Sequence, residues 1–263
     1  MNQFIDLEKY PLDRPESAEY AELVEKCQAD LASDGMFNLP GFLKPGVAQA
    51  AADAAKPAMD TDSFRHARRH NVYFRDTVPG ITDDHPAMKK VETVNHTLCA
   101  DQLAGNPVID VYEWAPFAAF LAATKGKEKL YQMADKMACV NVQATRDGEG
   151  LNWHFDRSEF TTTILLQASQ AGGQLEFRKD LRSADDQNFD GVAAVLAGED
   201  PETKQLMPEP GALNVFRGVN TPHRVVPVEG PTDRVIAIFS YYERPGVGFS
   251  AEEQQGFYGR SVA

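Results

Sequence analysis

The chain is poor in cysteine, in positive charge and in long apolar runs, and each shortage excludes something. Its three cysteines, Cys27, Cys99 and Cys139, are odd in number and widely separated. That excludes a disulfide framework and reads as reduced, mostly buried thiols of a cytoplasmic protein. No Cys-x-x-Cys spacing occurs, which argues against a thiolate zinc or iron–sulfur site. Lys and Arg number 26 against 39 Asp and Glu, a formal charge of −13. A surface that acidic argues against broad nucleic-acid or anionic-membrane binding. No apolar run approaches the roughly 18 residues needed to span a bilayer. The opening segment Met1-Asn2-Gln3-Phe4-Ile5-Asp6 lacks the basic stretch and apolar core of a secretion signal, in keeping with a cytoplasmic location. Internal repeats and low-complexity linkers are also missing.

With 263 residues, 43% of them apolar, the chain is long enough to bury a sizeable core. Its first half reads helical. Glu16 to Ala32 carries Tyr20, Leu23, Val24, Cys27 and Leu31 at spacings of three and four and stops at Asp34-Gly35. Met36 to Leu43 reads as a short strand and turn. Val47 to Met59 is alanine-rich and helical in pattern. Val108 to Ala123 is a third helix, kinked at Pro116, and Lys127 to Ala138 a candidate fourth.

The character changes near Met137. Cys139 to Thr145, Leu151 to Phe155, Phe160 to Gln167, Gln174 to Arg178, Ala212 to Phe216, His223 to Val228 and Arg234 to Tyr242 read as short strands separated by turns. Gly172-Gly173 marks a hairpin. Residues 180 to 209 are polar and acidic with weak periodicity, and read as an insertion on the sheet. Helices followed by many antiparallel strands suggest an α+β protein with a mainly β core, a sandwich or barrel buttressed by the N-terminal helices. The expectation is one domain over 1–263. Helical support and substrate-side elements would occupy 1–136, the β core 137–245 and a tail 246–263.

Four residues carry chemistry: His154 and Asp156 on either side of Phe155, then His223, then Arg234. Residues two apart in an extended strand point to the same side, so His154 and Asp156 can reach one metal. His223 lies 69 residues on and must arrive from another strand; Pro222 holds Thr221 extended ahead of it. Two histidines and a carboxylate occupy one face of a metal and leave the other positions open. That suits Fe(II) enzymes that bind a co-substrate and dioxygen together. Arg234 follows His223 by eleven residues, on an apolar strand-like stretch, where it could grip a carboxylate bidentately. A lone His-x-Asp is weak; the set with His223 and Arg234 on successive strand signals is not.

These residues resemble the non-haem Fe(II), 2-oxoglutarate-dependent oxygenases with a double-stranded β-helix (jelly-roll) core. The resemblance spans about residues 137 to 245. It rests on Gly148-Glu149-Gly150 before Trp153-His154-Phe155-Asp156, Gly172-Gly173, Gly211-Ala212-Leu213, Pro222-His223-Arg224-Val225-Val226-Pro227-Val228, and Arg234. More loosely, the helical first half looks like the branch that hydroxylates or halogenates free amino acids and other small polar metabolites without a carrier protein. Carried over, the resemblance implies that His154, Asp156 and His223 ligate iron and that Arg234 binds the distal carboxylate of 2-oxoglutarate. In halogenases of that branch a Gly or Ala replaces the metal carboxylate and opens a site for chloride. This chain keeps Asp156, which favours hydroxylation. The expected cofactors are Fe(II), 2-oxoglutarate and dioxygen, and the expected partner is a small anionic or zwitterionic substrate.

For that substrate the sequence offers several residues. Arg65, Arg68, Arg69 and Arg75, with His66 and His70, form a basic segment in an acidic protein. It reads either as a solvated surface or as a wall that captures a carboxylate or phosphate; Arg75, after Tyr73-Phe74, is the preferred member. Ser240 shares strand parity with Arg234. Arg146 precedes the metal strand and Tyr258 could close the site from the tail. Asn141 and Gln143 lie on the strand before the turn, where either could hydrogen-bond 2-oxoglutarate. Trp153 alternates with His154 and fills core. Two other readings compete: a cupin-like metal isomerase or hydrolase with no use for 2-oxoglutarate or Arg234, and a jelly-roll binding module with its histidines merely buried.

Overall fold

A computed structural model describes residues 1–262. The N-terminal half opens with helix α1 (Ala18–Asp34), capped by Ser17 accepting from the Tyr20 amide and stopped by Gly35 in the left-handed region (φ 73°). Strand β1 (Met36–Leu39), helix α2 (Val47–Thr61), strand β2 (Phe64–His70) and strand β3 (Val91–Cys99) follow. Helices α3 (Pro107–Glu113) and α4 (Ala115–Thr124) and the short strand β4 (Tyr131–Gln132) complete this half.

The second half contains β5 (Val140–Thr145), β6 (Leu151–His154), β7 (Thr161–Gln167) and β8 (Leu175–Phe177). Helix α5 (Phe189–Ala197) and β9 (Lys204–Leu206) come next, then β10 (Leu213–Phe216), β11 (His223–Val225), β12 (Arg234–Phe239), β13 (Tyr241–Tyr242) and helix α6 (Ala251–Tyr258).

Two antiparallel sheets form the jelly roll. The larger runs β1-β10-β7-β12-β5-β3-β2 and the smaller β6-β11-β8-β9, with β13 and β4 as a separate pair. The larger sheet shows why the sequence alternates. Val140, Val142 and Ala144 of β5, Ile164 and Leu166 of β7, Leu213 and Val215 of β10, and Val235, Ala237 and Phe239 of β12 join one core with the helices. Phe117 and Phe120 of α4 are fully buried in that core. The intervening residues of the same strands face the space between the sheets. The helices therefore cover one face of the sheet and leave the other for a site.

The fold is the expected α+β jelly roll, with local corrections. The first half is less helical than its composition suggests, because β1, β2 and β3 all join the larger sheet. The segment Lys127 to Ala138 is not a helix: the Asp135 carboxylate accepts from the Met137 and Ala138 amides, a local turn that competes with helical pairing. The span Val108–Ala123 is two helices meeting at Trp114, with Pro116 in the first turn of the second, where its missing N–H costs nothing. The stretch 180–209 holds α5, and its β9 pairs with β8 at the edge of the smaller sheet. The tail contributes α6. Among the described residues no helix is long and apolar enough to cross a membrane. Cys27 and Cys99 are buried free thiols and Cys139 is a partly buried one.

Candidate active site

Strands β6 and β11 pair with His154 opposite His223, their rings 4.2 Å apart. Asp156 lies just past β6, fixed by its amide donating to the Gly218 carbonyl at 3.1 Å. Its Oδ1 stands 3.6 Å from His154 Nε2 and 3.5 Å from His223 Nε2. The three ligand atoms lie within 4.8 Å of one another, a spacing that could hold one metal ion.

The backbone decides which nitrogens are free. His154 Nδ1 is 2.8 Å from the Asn152 carbonyl and His223 Nδ1 is 3.0 Å from the Thr221 carbonyl. A carbonyl only accepts, so both Nδ1 atoms donate, and both Nε2 atoms face Asp156. The Thr161 hydroxyl donates to Asp156 Oδ2 at 2.6 Å. A side chain at Gly218 would collide with that carboxylate, so glycine there makes the room Asp156 occupies. Burial pushes the His154 imidazole down to about 4, reinforced by the neighbouring His223. Burial pushes the Asp156 carboxyl up, but the two imidazoles and the Thr161 hydroxyl outweigh it and hold the group well below the ordinary range. Burial pushes the His223 imidazole down, but the Asp156 carboxylate and the Thr221 carbonyl outweigh it and raise the group. Two imidazoles and a carboxylate are a donor set suited to a divalent transition metal.

Behind the triad lies a cavity of about 410 Å³ between the sheets. Arg234, Ile236, Ile238 and Ser240 line it from one strand edge at every second position, as do Asn141, Gln143 and Thr145 of β5. Arg234 is 4% exposed and its Nε has no hydrogen-bond partner. Burial without a counter-charge pushes its guanidinium down to about 10. Gly173 permits this placement, since a Cβ there would come within 3.0 Å of Arg234 Cδ. Asn214 Oδ1 is a second buried, unpartnered atom on the cavity wall. The cavity thus holds, besides the triad, a buried guanidinium able to pair with a carboxylate.

Other residues singled out in the sequence divide. Ser240 lines the cavity. Tyr258 does so as well, buried, its hydroxyl 3.0 Å from Asn141 Oδ1. Arg75 is exposed and outside the cavity, with only its backbone held by Asn71. Arg146 is also outside it. It points away from Thr145's face of the sheet, to the Met59 carbonyl at 3.3 Å and the carboxylates of Asp60 and Asp233 at 3.7 and 3.8 Å. Trp153 faces away from the metal, in the cluster with Val72 and Val195. In place of Arg75, β2 sends His66, Arg68 and His70 to the wall, and the loop after it sends Phe74. The alternation His-x-Arg-x-His was the available signal. Arg157, Phe249 and Phe257 join the wall without one.

Comparison with known proteins places this geometry. The family model described as Halogenase D matches residues 19–252. No curated protein sequence matches. Among solved structures, the non-haem α-ketoglutarate-dependent epimerase SnoN from nogalamycin biosynthesis superimposes with a TM-score of 0.57 at 14% identity, covering 92% of this chain and 94% of that one. AviO1 from Streptomyces viridochromogenes Tue57 gives a TM-score of 0.57 at 16% identity, covering 86% and 97%. A 2-oxoglutarate–Fe(II) oxygenase-family oxidoreductase from Burkholderia pseudomallei gives 0.50 at 15% identity, covering 85% and 92%.

Proposed function

The chain belongs to the Halogenase D family and is an enzyme of the 2-oxoglutarate–Fe(II) oxygenase class; from that premise we propose that it hydroxylates an unactivated C–H bond of a small polar metabolite, a free amino acid or related compound. Fe(II), 2-oxoglutarate and dioxygen serve the reaction. One oxygen atom goes to succinate as 2-oxoglutarate loses CO2, and the other becomes the hydroxyl of the product.

The observation that carries this reading is Asp156. Halogenases of the branch this chain resembles have Gly or Ala in place of the metal carboxylate. Here a carboxylate fills the position, anchored by Thr161 and given space by Gly218. Bound iron would supply dioxygen activation; the chain's own residues do the placing. His154, His223 and Asp156 would hold the metal. Arg234, buried and unpartnered, receives the distal carboxylate of 2-oxoglutarate, with the Thr145 and Thr163 hydroxyls on the same wall. Buried walls keep water from the reacting centre and set which C–H bond lies close.

The test is product analysis. With Fe(II), 2-oxoglutarate and a metabolite panel in air, the protein should form succinate and a product heavier by one oxygen, with or without chloride. Chlorinated product from the unaltered protein would refute the hydroxylase reading. A product isomeric with its substrate would favour epimerisation, as in the epimerase SnoN.

A further inference from the structure

We infer that the substrate is an anion without a cationic side chain, and that Arg68 takes its charged group; this rests on the oxygenase reading and names the substrate class of the same site. The argument begins with charge. The chain carries 39 acidic residues and a net −13. Yet among the described residues the only carboxylate lining the cavity is Asp156, which belongs to the metal triad, while Arg68, Arg157 and Arg234 all line it. The cavity reverses the sign of the molecule around it.

The three arginines differ in what they already hold. Arg234 sits deep, where 2-oxoglutarate is expected. Arg157 is 3.3 Å from Glu253 and lies over the Phe257 ring at 5.6 Å. Among the described residues no carboxylate lies within ion-pair distance of Arg68. Its neighbours on β2 are engaged: Arg65 is 3.8 Å from Glu149, and Arg69 donates to the Lys90 carbonyl at 3.2 Å.

Arg68 is nevertheless placed. Its guanidinium lies 5.5 Å over the Phe74 ring, and that ring stacks on His70 at 4.0 Å. Phe74 also meets His154 edge-on at 5.7 Å, so the column leads from the cavity rim to a metal ligand. Phe74 takes a left-handed φ of 54° and is 39% exposed, both unfavourable for a phenylalanine. Asn71 holds the loop that imposes this, its Oδ1 accepting from the Tyr73 and Arg75 amides at 3.1 and 3.2 Å. An exposed, strained aromatic that supports an unpaired arginine beside a metal site is a platform for an oxyanion.

The same inventory rejects a cation. A side-chain ammonium in this cavity would find guanidinium groups and no uncommitted carboxylate, and would be desolvated without a partner. An α-ammonium is neutralised by its own carboxylate, so acidic amino acids stay within the class. Lysine- and ornithine-like amino acids fall outside it.

Matched ligands test this. Glutamate, glutamine and ornithine differ at one end, as do aspartate, asparagine and 2,4-diaminobutyrate; O-phosphoserine and serine separate phosphate from carboxylate. Each is added to protein with Fe(II) and saturating 2-oxoglutarate. The perturbation of the visible Fe(II)–2-oxoglutarate band without oxygen and stimulated succinate formation in air are then read. An anionic member should act at about ten- to hundred-fold lower concentration than its neutral partner, the range of one charge-assisted bond, and the cation should not act. R68M should erase that preference, R68K should restore part of it, and half-saturation by 2-oxoglutarate should not move. A cation that acts as well as its anionic partner, silence of every anionic member, or an R68M protein with its preference intact each overturn the inference and leave the oxygenase reading standing. Failure of the Fe(II)–2-oxoglutarate band to form at all overturns both.

Discussion

The two faces of the seven-stranded sheet are made by the same strands and differ in almost everything else. The face toward α1, α2 and α4 is apolar, built from residues such as Val142, Ile164, Val215 and Ala237, each fully buried. The face toward the smaller sheet presents Thr145, Thr163, Asn141, Asn214 and Arg234 to a cavity. The first face has its partners within the chain. The second holds buried groups without partners, Arg234 Nε and Asn214 Oδ1 among them. A buried polar group left unsatisfied costs about 1–3 kcal/mol, so an unpaired face is stability given up for a ligand. The comparison teaches where function lies: where the fold is internally complete it holds the protein together, and where it is incomplete it binds.

Substitutions on the two faces should therefore fail in opposite ways. The largest effect belongs to the triad: H223A should abolish 2-oxoglutarate turnover and remove Fe(II) binding by calorimetry, while the protein still melts cooperatively. A loss of folding with it would mean that the triad is structural. On the helix face, F117A should cost about 3–5 kcal/mol of unfolding free energy in denaturant titration, by emptying a fully buried site. Half-saturation by 2-oxoglutarate should stay where it was.

R234M should weaken 2-oxoglutarate by about 2–5 kcal/mol, the cost of truncating one partner of a buried charge pair. Without ligand, its melting temperature should hold or rise, because a desolvated cation has been removed. Lower stability together with normal 2-oxoglutarate binding would erase the distinction between the faces. The smallest change is expected at Arg146, a half-buried arginine whose carboxylate partners Asp60 and Asp233 stand 3.7 and 3.8 Å away. R146M should cost about 0–1 kcal/mol of stability and leave 2-oxoglutarate binding unaltered.

Much of this was legible in the sequence, for a physical reason. Strands that carry a core on one face and a site on the other write a period of two, so His154, Asp156, His223 and Arg234 stood out against their apolar neighbours, and Ser240 followed from parity with Arg234. The basic wall was harder. Strand β2, Phe-Arg-His-Ala-Arg-Arg-His, is an edge strand with one face in the cavity and the other largely exposed, so no apolar alternation marks it. Arg75 looked promising beside Tyr73-Phe74, but the Asn71-braced turn leaves it exposed, and Arg68 reaches the cavity instead. Arg146 follows Thr145, which lines the cavity, and one residue's shift turns a strand side chain to the opposite face. The Lys127 to Ala138 segment misled because the Asp135 carboxylate captures the amides a helix would have used.

The central claim is that the cavity beneath the incomplete face receives a metal at the triad of the facing sheet, chelated by a dicarboxylate that Arg234 holds. Anaerobic titration of Fe(II)-loaded protein with 2-oxoglutarate, followed in the visible spectrum, tests it most directly. The unaltered protein should develop a saturable charge-transfer band, and R234M should need far more 2-oxoglutarate to reach it. No band from intact, iron-loaded protein, or the same half-saturation in R234M, would contradict the account.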